Sequence, residues 1–147
     1  MPFISITRLR LRGLRFLPGF LYYSTRSARQ AERSPGFLGG RLGSEPGLAF
    51  WTITAWTDEA AMRAFRSSGA HRAAMPRLAG WCDEAATGHW QQDHDEVPDW
   101  PSAHARMRES GRTSPVRHPS PRQADGAIPA PLVPGTNGNR LKPRPGS

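Results

Sequence analysis

The chain has 147 residues, the length of a single domain, and 37% of them are hydrophobic. No stretch is apolar over the roughly 20 residues that a membrane-spanning helix needs, so a membrane protein is not expected. A single cysteine, Cys82, excludes an intramolecular disulfide and a multi-cysteine zinc site, and fits a reducing cytoplasm.

The net charge of +8 is divided unevenly along the chain. Residues 1–110 contain 14 Arg and 11 acids, whereas residues 111–147 contain six basic residues and one acid. The second segment also has eight Pro, five Gly and no aromatic residue, so it lacks the apolar surface that would offset its ordering entropy. These patterns predict a folded domain over residues 1–110 and a disordered tail over residues 111–147. Because the folded part lacks a basic stripe interleaved with aromatics, we expect no specific nucleic-acid partner, with contacts between the basic tail and anionic polymers as an open alternative.

The first predicted element is a strand over Phe3–Leu11, because Ile4 and Ile6 alternate with Ser5 and Thr7. The first 31 residues contain six Arg and no acid, which is also typical of a transit peptide. The strand pattern favours an element of the domain and a cytoplasmic protein.

A helix is predicted over residues 16–33 and ends before a Ser-Pro-Gly sequence. Short strands follow over residues 37–42 and 48–56, joined by a GSEPG turn. In the second of these strands, Phe50, Thr52, Thr54 and Trp56 face one way while Trp51, Ile53 and Ala55 face the other. Both faces carry large apolar groups, so both should be covered.

Thr57 or Asp58 can be the N-cap of the next helix. A further helix should start near residue 70 and break or kink near Met75, because Pro76 lacks an amide hydrogen. A strand over residues 86–92 and a peripheral helix over residues 100–109 complete the pattern. The order βαββαβ predicts an α+β, ferredoxin-like fold, with a four-stranded antiparallel sheet and both helices on one face. The other face would need a partner, which predicts a homodimer, a dimeric α+β barrel.

Three stretches, PGFLGGRL (35–42), FWTITAWTDEAAMRAF (50–65) and GAHRAAMPRL (69–78), resemble the antibiotic-biosynthesis-monooxygenase-like superfamily of dimeric α+β barrels. The resemblance covers roughly residues 3–95, and is closer to a bacterial group of unknown function; the last two stretches also resemble spheroidene monooxygenase. Superfamily members include cofactor-free oxygenases of aromatic polyketides and haem-degrading enzymes. The resemblance therefore implies a monooxygenase-like protein that oxidises a small aromatic or polyene compound in an apolar pocket.

The haem-degrading branch of that superfamily differs from this sequence at its characteristic positions. Phe65 stands where that branch has a Trp, Met75 where it has its iron-ligating His, and Ser5 and Thr7 where its first strand carries an Asn. We therefore predict no cofactor, with haem binding through His71 in another register as an open alternative. No metal site is predicted.

His71 is the candidate catalytic residue, a base, because an imidazole titrates near neutral pH. The alternative is a structural histidine that bonds a carbonyl at the start of a helix. The resemblance and the aromatic composition predict a substrate-binding set: Trp51, Trp56, Phe65, Met75, His89 and Trp90. The tryptophans could instead form the core or the dimer interface, in which case the protein would be a non-catalytic ligand-binding or dimerisation module.

Overall fold

The computed structural model describes residues 1–131 and 140–144. The elements, in chain order, are β1 (Phe3–Leu11), a 3₁₀ turn (Leu14–Phe16), α1 (Leu17–Arg33), β2 (Phe37–Glu45), β3 (Ala49–Trp56), α2 (Glu59–Arg66), α3 (Gly69–Trp81), β4 (Cys82–Gln91), α4 (Trp100–Ser110), β5 (Arg112–Thr113), α5 (Pro121–Ala124) and β6 (Arg140–Leu141). Over the described part of the chain, none of these helices has the length and apolar character needed to cross a bilayer.

The sheet has six strands in the order β5-β4-β1-β3-β2-β6, and every neighbouring pair is antiparallel. The α+β architecture and its antiparallel sheet are as predicted, but the predicted count of four strands is wrong. The two additional strands are short and lie in the segment after residue 110, where no ordered structure was expected. β5 pairs with β4 and β6 pairs with β2. Residues 132–139 and 145–147 of the predicted tail lie outside the described residues.

The sequence predicts a break or kink in α3 near Met75, and no break is present there. Helix α3 continues through Pro76 as far as Trp81, where its ring meets α1. A Cβ on Gly19 would lie 2.7 Å from the Trp81 ring, so the glycine permits this close approach. The packing of α3 against α1 offsets the backbone hydrogen bond that proline removes. Of the two predicted N-cap residues of α2, the cap is Asp58, whose carboxylate accepts a 2.8 Å hydrogen bond from the Ala61 amide.

Helices cover both faces of the sheet, which corrects the prediction that they lie on one. Helices α1, α2 and α3 cover what we call the helical face, while α4 covers the opposite side, the α4 face. The core between the sheet and α4 comprises Ile4, Ile6, Trp51, Ile53, Ala55, Ala86, Trp100, Ala103 and Met107. The prediction of a homodimer rested on this face being uncovered. Because a helix of the same chain occupies it, that physical argument no longer applies to this face.

Candidate functional site

A cavity of about 510 Å³ lies between the helical face of the sheet and helices α1, α2 and α3. This volume is within the range of pockets that hold small molecules. The walls are mainly apolar and aromatic, and include Phe20 and Tyr23 from α1, Phe50 from β3, and Leu78 from α3. The space is suited to a small apolar ligand.

The floor of the cavity is made of short hydroxylated side chains on the three central strands. Ser5 of β1 pairs with Thr54 of β3, and Thr7 pairs with Thr52 on one side and Thr87 on the other. All five residues line the cavity. Their small size leaves the space that large apolar residues would have filled, and their hydroxyl groups can bond polar atoms of a ligand.

These floor residues were not singled out as candidates, although the sequence carries a signal for them. In FISIT and WTIT, serine and threonine alternate with isoleucine and tryptophan at the two-residue period of a strand. Because both faces of the sheet are covered, the isoleucine and tryptophan positions indicate the close-packed face, and the serine and threonine positions indicate the face that retains space.

His71 lies at the edge of this cavity, in the first turn of α3. Its backbone amide donates a 3.0 Å hydrogen bond to Oε1 of Gln30, and its ring packs 4.8 Å from the ring of Phe65. The imidazole Nδ1 is 3.2 Å from the backbone carbonyl oxygen of Arg66. Because a carbonyl oxygen only accepts, Nδ1 carries the hydrogen in this contact, and the neutral ring has Nε2 as its basic nitrogen.

The protonation state of His71 follows from its surroundings. Burial lowers the pKa of His71 below its ordinary value of 6.5, the bond to the Arg66 carbonyl opposes this shift, and the positive charge of Arg66 adds to it. The imidazole is therefore neutral at pH 7. The same geometry satisfies both sequence-based hypotheses, because the ring bonds a carbonyl near the helix start and also lines the cavity.

His89 and Arg66 also line the cavity, and both carry ionisable side chains. His89 is exposed and stacks on Phe3 at 5.4 Å, so it lies where the cavity meets solvent. Partial burial and the nearby charge of Arg66 lower the pKa of His89. On α2, Arg63 forms an ion pair with Glu59, and the positive charge of Arg66 lowers the pKa of both His71 and His89.

The cavity lining includes four of the seven predicted site residues: His71, Phe65, Met75 and His89. Met75 is 47% exposed, which places it at the rim. The three predicted tryptophans lie elsewhere. Trp56 is fully buried between Phe37 and Phe65, behind the cavity wall.

Trp51 and Trp90 lie on the α4 face, one strand position out of phase with the cavity floor. The Trp51 indole packs 4.7 Å from His104 and donates a 3.1 Å hydrogen bond to Glu45. Trp90 packs with the core beneath α4 and contacts the guanidinium of Arg106. Side chains alternate along a strand, so these rings cannot contact a ligand on the helical face.

Within residues 1–131 and 140–144, no group of three or more His, Cys, Asp or Glu side chains could hold a metal ion. Burial, together with the charge of Asp83, raises the pKa of the Cys82 thiol to about 12. The thiol is therefore protonated at neutral pH and is a packing group rather than a nucleophile.

Residues 3–77, just over half of the chain, match the family model described as antibiotic biosynthesis monooxygenase. The chain belongs to this family. No curated protein sequence is significantly similar to it.

Solved structures share the fold of this antibiotic biosynthesis monooxygenase domain. SnoaB, a cofactor-independent oxygenase from Streptomyces nogalater, is 20% identical with a TM-score of 0.53, and the match covers 63% of this chain and 94% of that one. Rv0793 from Mycobacterium tuberculosis is 12% identical with a TM-score of 0.56, covering 64% and 97%. A protein from Methanosarcina mazei Go1 is 11% identical with a TM-score of 0.56, covering 63% and 94%.

These identities establish the fold, not the reaction. The closer resemblance to a bacterial group of unknown function and to spheroidene monooxygenase stays a prediction.

Proposed function

We propose that this antibiotic biosynthesis monooxygenase domain binds a small aromatic or polyene compound in the cavity and oxidises it with molecular oxygen. One observation carries the proposal: a largely apolar cavity whose lining includes a neutral imidazole, that of His71, with Nε2 as a hydrogen-bond acceptor. A neutral imidazole can accept a proton from a bound compound directly, because its basic nitrogen is already unprotonated.

The proposed reaction oxidises an activated methylene group, R₂CH₂ + O₂ → R₂C=O + H₂O. His71 Nε2 takes one proton from the carbon, and the resulting carbanion reduces oxygen and forms a C–O bond, giving a hydroperoxide after protonation by His71. Loss of the second C–H proton then cleaves the O–O bond and releases water. Both oxygen atoms are accounted for, and His71 returns to its neutral form.

Two features of the lining support this chemistry. The guanidinium of Arg66 supplies a positive charge that stabilises the carbanion once the proton has left. The hydroxyl groups of the floor, such as those of Thr7 and Thr52, can orient polar atoms of the compound above the sheet.

A second candidate function is a non-catalytic ligand-binding module. It is favoured by the two hydrogen bonds of His71 to Gln30 and to the Arg66 carbonyl, which a purely structural histidine would also make. A homodimer remains a separate prediction, for which family membership is the support.

The deciding experiment uses anthrone, an aromatic compound with an acidic methylene group. Wild type should consume one O₂ per anthrone in an oxygen electrode, and His71→Ala should lower the rate by roughly 10² to 10⁴, the usual range for loss of a general base. Exposed His94 provides a matched control, so His94→Ala should retain the rate. Equal rates in wild type, His71→Ala and buffer would favour the module.

Two further measurements sharpen this test. Because burial lowers the pKa of His71, the rate should rise with pH through a pKa below 6.5 and stay flat above it. The absorption spectrum of the purified protein, recorded with and without added haem or flavin, should be unchanged by either. A new haem band lost in His71→Ala would instead identify His71 as a haem ligand and contradict the base role.

A further inference from the structure

Residues 112–123, which we call the strap, lie beyond the part of the chain that matches the family. The strap begins with β5 at the edge of the sheet and ends in the short helix α5. Three backbone hydrogen bonds define its path between these elements. The amide of Ser114 donates to Ala85 at 2.8 Å, that of Arg117 to Ala79 at 2.8 Å, and that of Ser120 to Asp83 at 3.0 Å.

This path bridges two elements that bound the cavity. Ala85 lies on β4, whereas Ala79 lies in the last turns of α3, so the strap crosses the gap between the sheet edge and the helix end. The three residues in the crossing, Ser114, Pro115 and Val116, all line the cavity. The strap therefore forms a wall of the cavity near the C-terminal end of α3. This wall belongs neither to the family match over residues 3–77 nor to helices α1, α2 and α3.

Val116 is the apolar residue of this wall. It is half-buried and packs against the hydrophobic cluster of Leu11, Phe20 and Cys82. Phe20 and Leu78, which line the cavity, belong to the same packed group. A change of volume at Val116 therefore changes the space available beside the C-terminal end of α3.

The strap is held by polar groups that do not themselves line the cavity. The side-chain amide of Gln123 donates a 2.8 Å hydrogen bond to the carbonyl of Ser114 and accepts one of 3.2 Å from the amide of Ala85. The hydroxyl of Ser120 donates to the buried carboxylate of Glu84 at 2.8 Å, and the guanidinium of Arg122 pairs with the same carboxylate. These bonds fix Ser114 to Val116 in position.

We propose that the strap sets the length of ligand that the cavity accepts, with Val116 as the specificity-determining residue and Gln123 as the residue that positions it. The inference rests on the proposed function, because it concerns the same cavity and the same flat, apolar class of ligand. It adds that a linear fused-ring compound is selected by its number of rings. The limit on ligand length is set by the strap, near the C-terminal end of α3.

The experiment measures the binding of two probes of different length to the full chain. Anthraquinone has three fused rings and naphthacenequinone has four, and both quench tryptophan fluorescence. In Val116→Ala, the affinity for the longer probe relative to the shorter one should rise roughly four- to fifteenfold, the effect of burying about one or two further methylene-sized groups. In Val116→Phe, that ratio should fall by a similar factor.

Val97 provides the matched control, because it is also half-buried but packs against the core beneath α4. Val97→Ala removes the same atoms and should leave the ratio of affinities at the wild-type value. Gln123→Ala should raise the relative affinity for the longer probe, as Val116→Ala does, and Gln123→Glu, which retains the acceptor for the Ala85 amide, should restore part of the wild-type ratio. The ratio is compared rather than either affinity, since a general loss of stability weakens both probes alike.

The outcomes separate the two proposals. Binding of both probes with the same ratio in wild type, Val116→Ala and Val116→Phe would overturn the role of the strap and leave the cavity function standing. Failure of wild type to bind either probe would overturn the proposed function, and with it the selectivity that depends on it.

Discussion

The two faces of the sheet carry side chains from the same strands but differ in how they are filled. On the α4 face, Ile6, Trp51 and Ile53 are at most 1% exposed, and they pack directly against α4. On the helical face, Thr7 and Thr52 occupy the neighbouring positions and border a cavity of about 510 Å³. Adjacent residues in one strand therefore serve opposite purposes, one closing a core and the other leaving room for a ligand.

The cavity depends on the small volume of the side chains that line its floor. In the middle of the helical face the register places small hydroxylated residues side by side, since Ser5 pairs with Thr54, and Thr7 pairs with Thr52 and Thr87. On the α4 face the same stretch of sheet carries Ile4, Ile6 and Ile53, which are fully buried. A close-packed face gives the sheet its stability, and this stability allows the other face to keep unfilled space.

The largest expected effect comes from separating α4 from the sheet. Ala103 is fully buried against the α4 face, whereas its neighbour Ser102 is exposed. Ala103→Asp should lower the free energy of unfolding by about 3 kcal/mol or more, because it buries an unpaired carboxylate. Sedimentation should also reveal self-association through the exposed α4 face. Ser102→Asp is the control, and equal stability of the two variants as monomers would show that α4 is not needed to cover this face.

A core truncation compares the two faces directly. Ile53 and Thr54 are adjacent in β3 and point to opposite sides of the sheet. Ile53→Ala should cost about 2 to 5 kcal/mol of unfolding free energy in urea titration, the range for a buried large-to-small change. Thr54→Ala, which borders existing space, should cost less than about 1 kcal/mol. Similar losses at both positions would mean that the helical face is as tightly packed as the α4 face.

A further effect concerns pH and the buried carboxylate that holds the strap. Burial would raise the pKa of Glu84, but hydrogen bonds from Arg122, Arg8 and Ser120 outweigh it and lower the pKa to about 2. The carboxylate therefore contributes about 3 kcal/mol of stability above its ordinary pKa of 4.5, and this contribution is lost as the pH falls from 4.5 toward 2.

Glu84→Gln tests this linkage by removing the charge while keeping the shape of the side chain. The variant should be less stable than wild type at pH 7, and its unfolding free energy should fall less between pH 4.5 and pH 2. Glu59→Gln is the control, at an exposed carboxylate paired with Arg63. Its unfolding free energy should fall with pH as steeply as that of wild type. A slope in Glu84→Gln as steep as in wild type would assign the acid sensitivity to other groups.

Much of the central fold was predictable because its elements follow simple periods. The observed β1 has the predicted bounds, and β3 begins one residue later than expected, since both alternate strictly. Helix α4 was also predicted from its sequence, but not its position on the sheet. That position depends on contacts between Trp100 or Met107 and strands far away in sequence, which local periodicity does not encode.

The strap was missed for a different reason. Its sequence is rich in Pro and poor in apolar residues, and an argument from buried area alone predicts disorder. It is held instead by polar contacts to β4, above all those of Ser120 and Gln123, which form only once the sheet exists. Among the predicted site residues, those on α2 and α3 line the cavity. The face of the sheet that carries Trp51 and Trp90 could not be recognised as the close-packed one before the position of α4 was known.

The two short outer strands have a consequence for the behaviour of this protein at high concentration. The row of unpaired amides and carbonyls along an outer strand is a template on which another chain can add, leading to fibrous aggregates. Here β5 occupies part of that row on β4, and β6 occupies part of it on β2, held there by a 3.2 Å bond from the Lys142 amide to Glu32. The C-terminal segment thus covers part of both edges of the sheet and should reduce the tendency of the protein to form fibres.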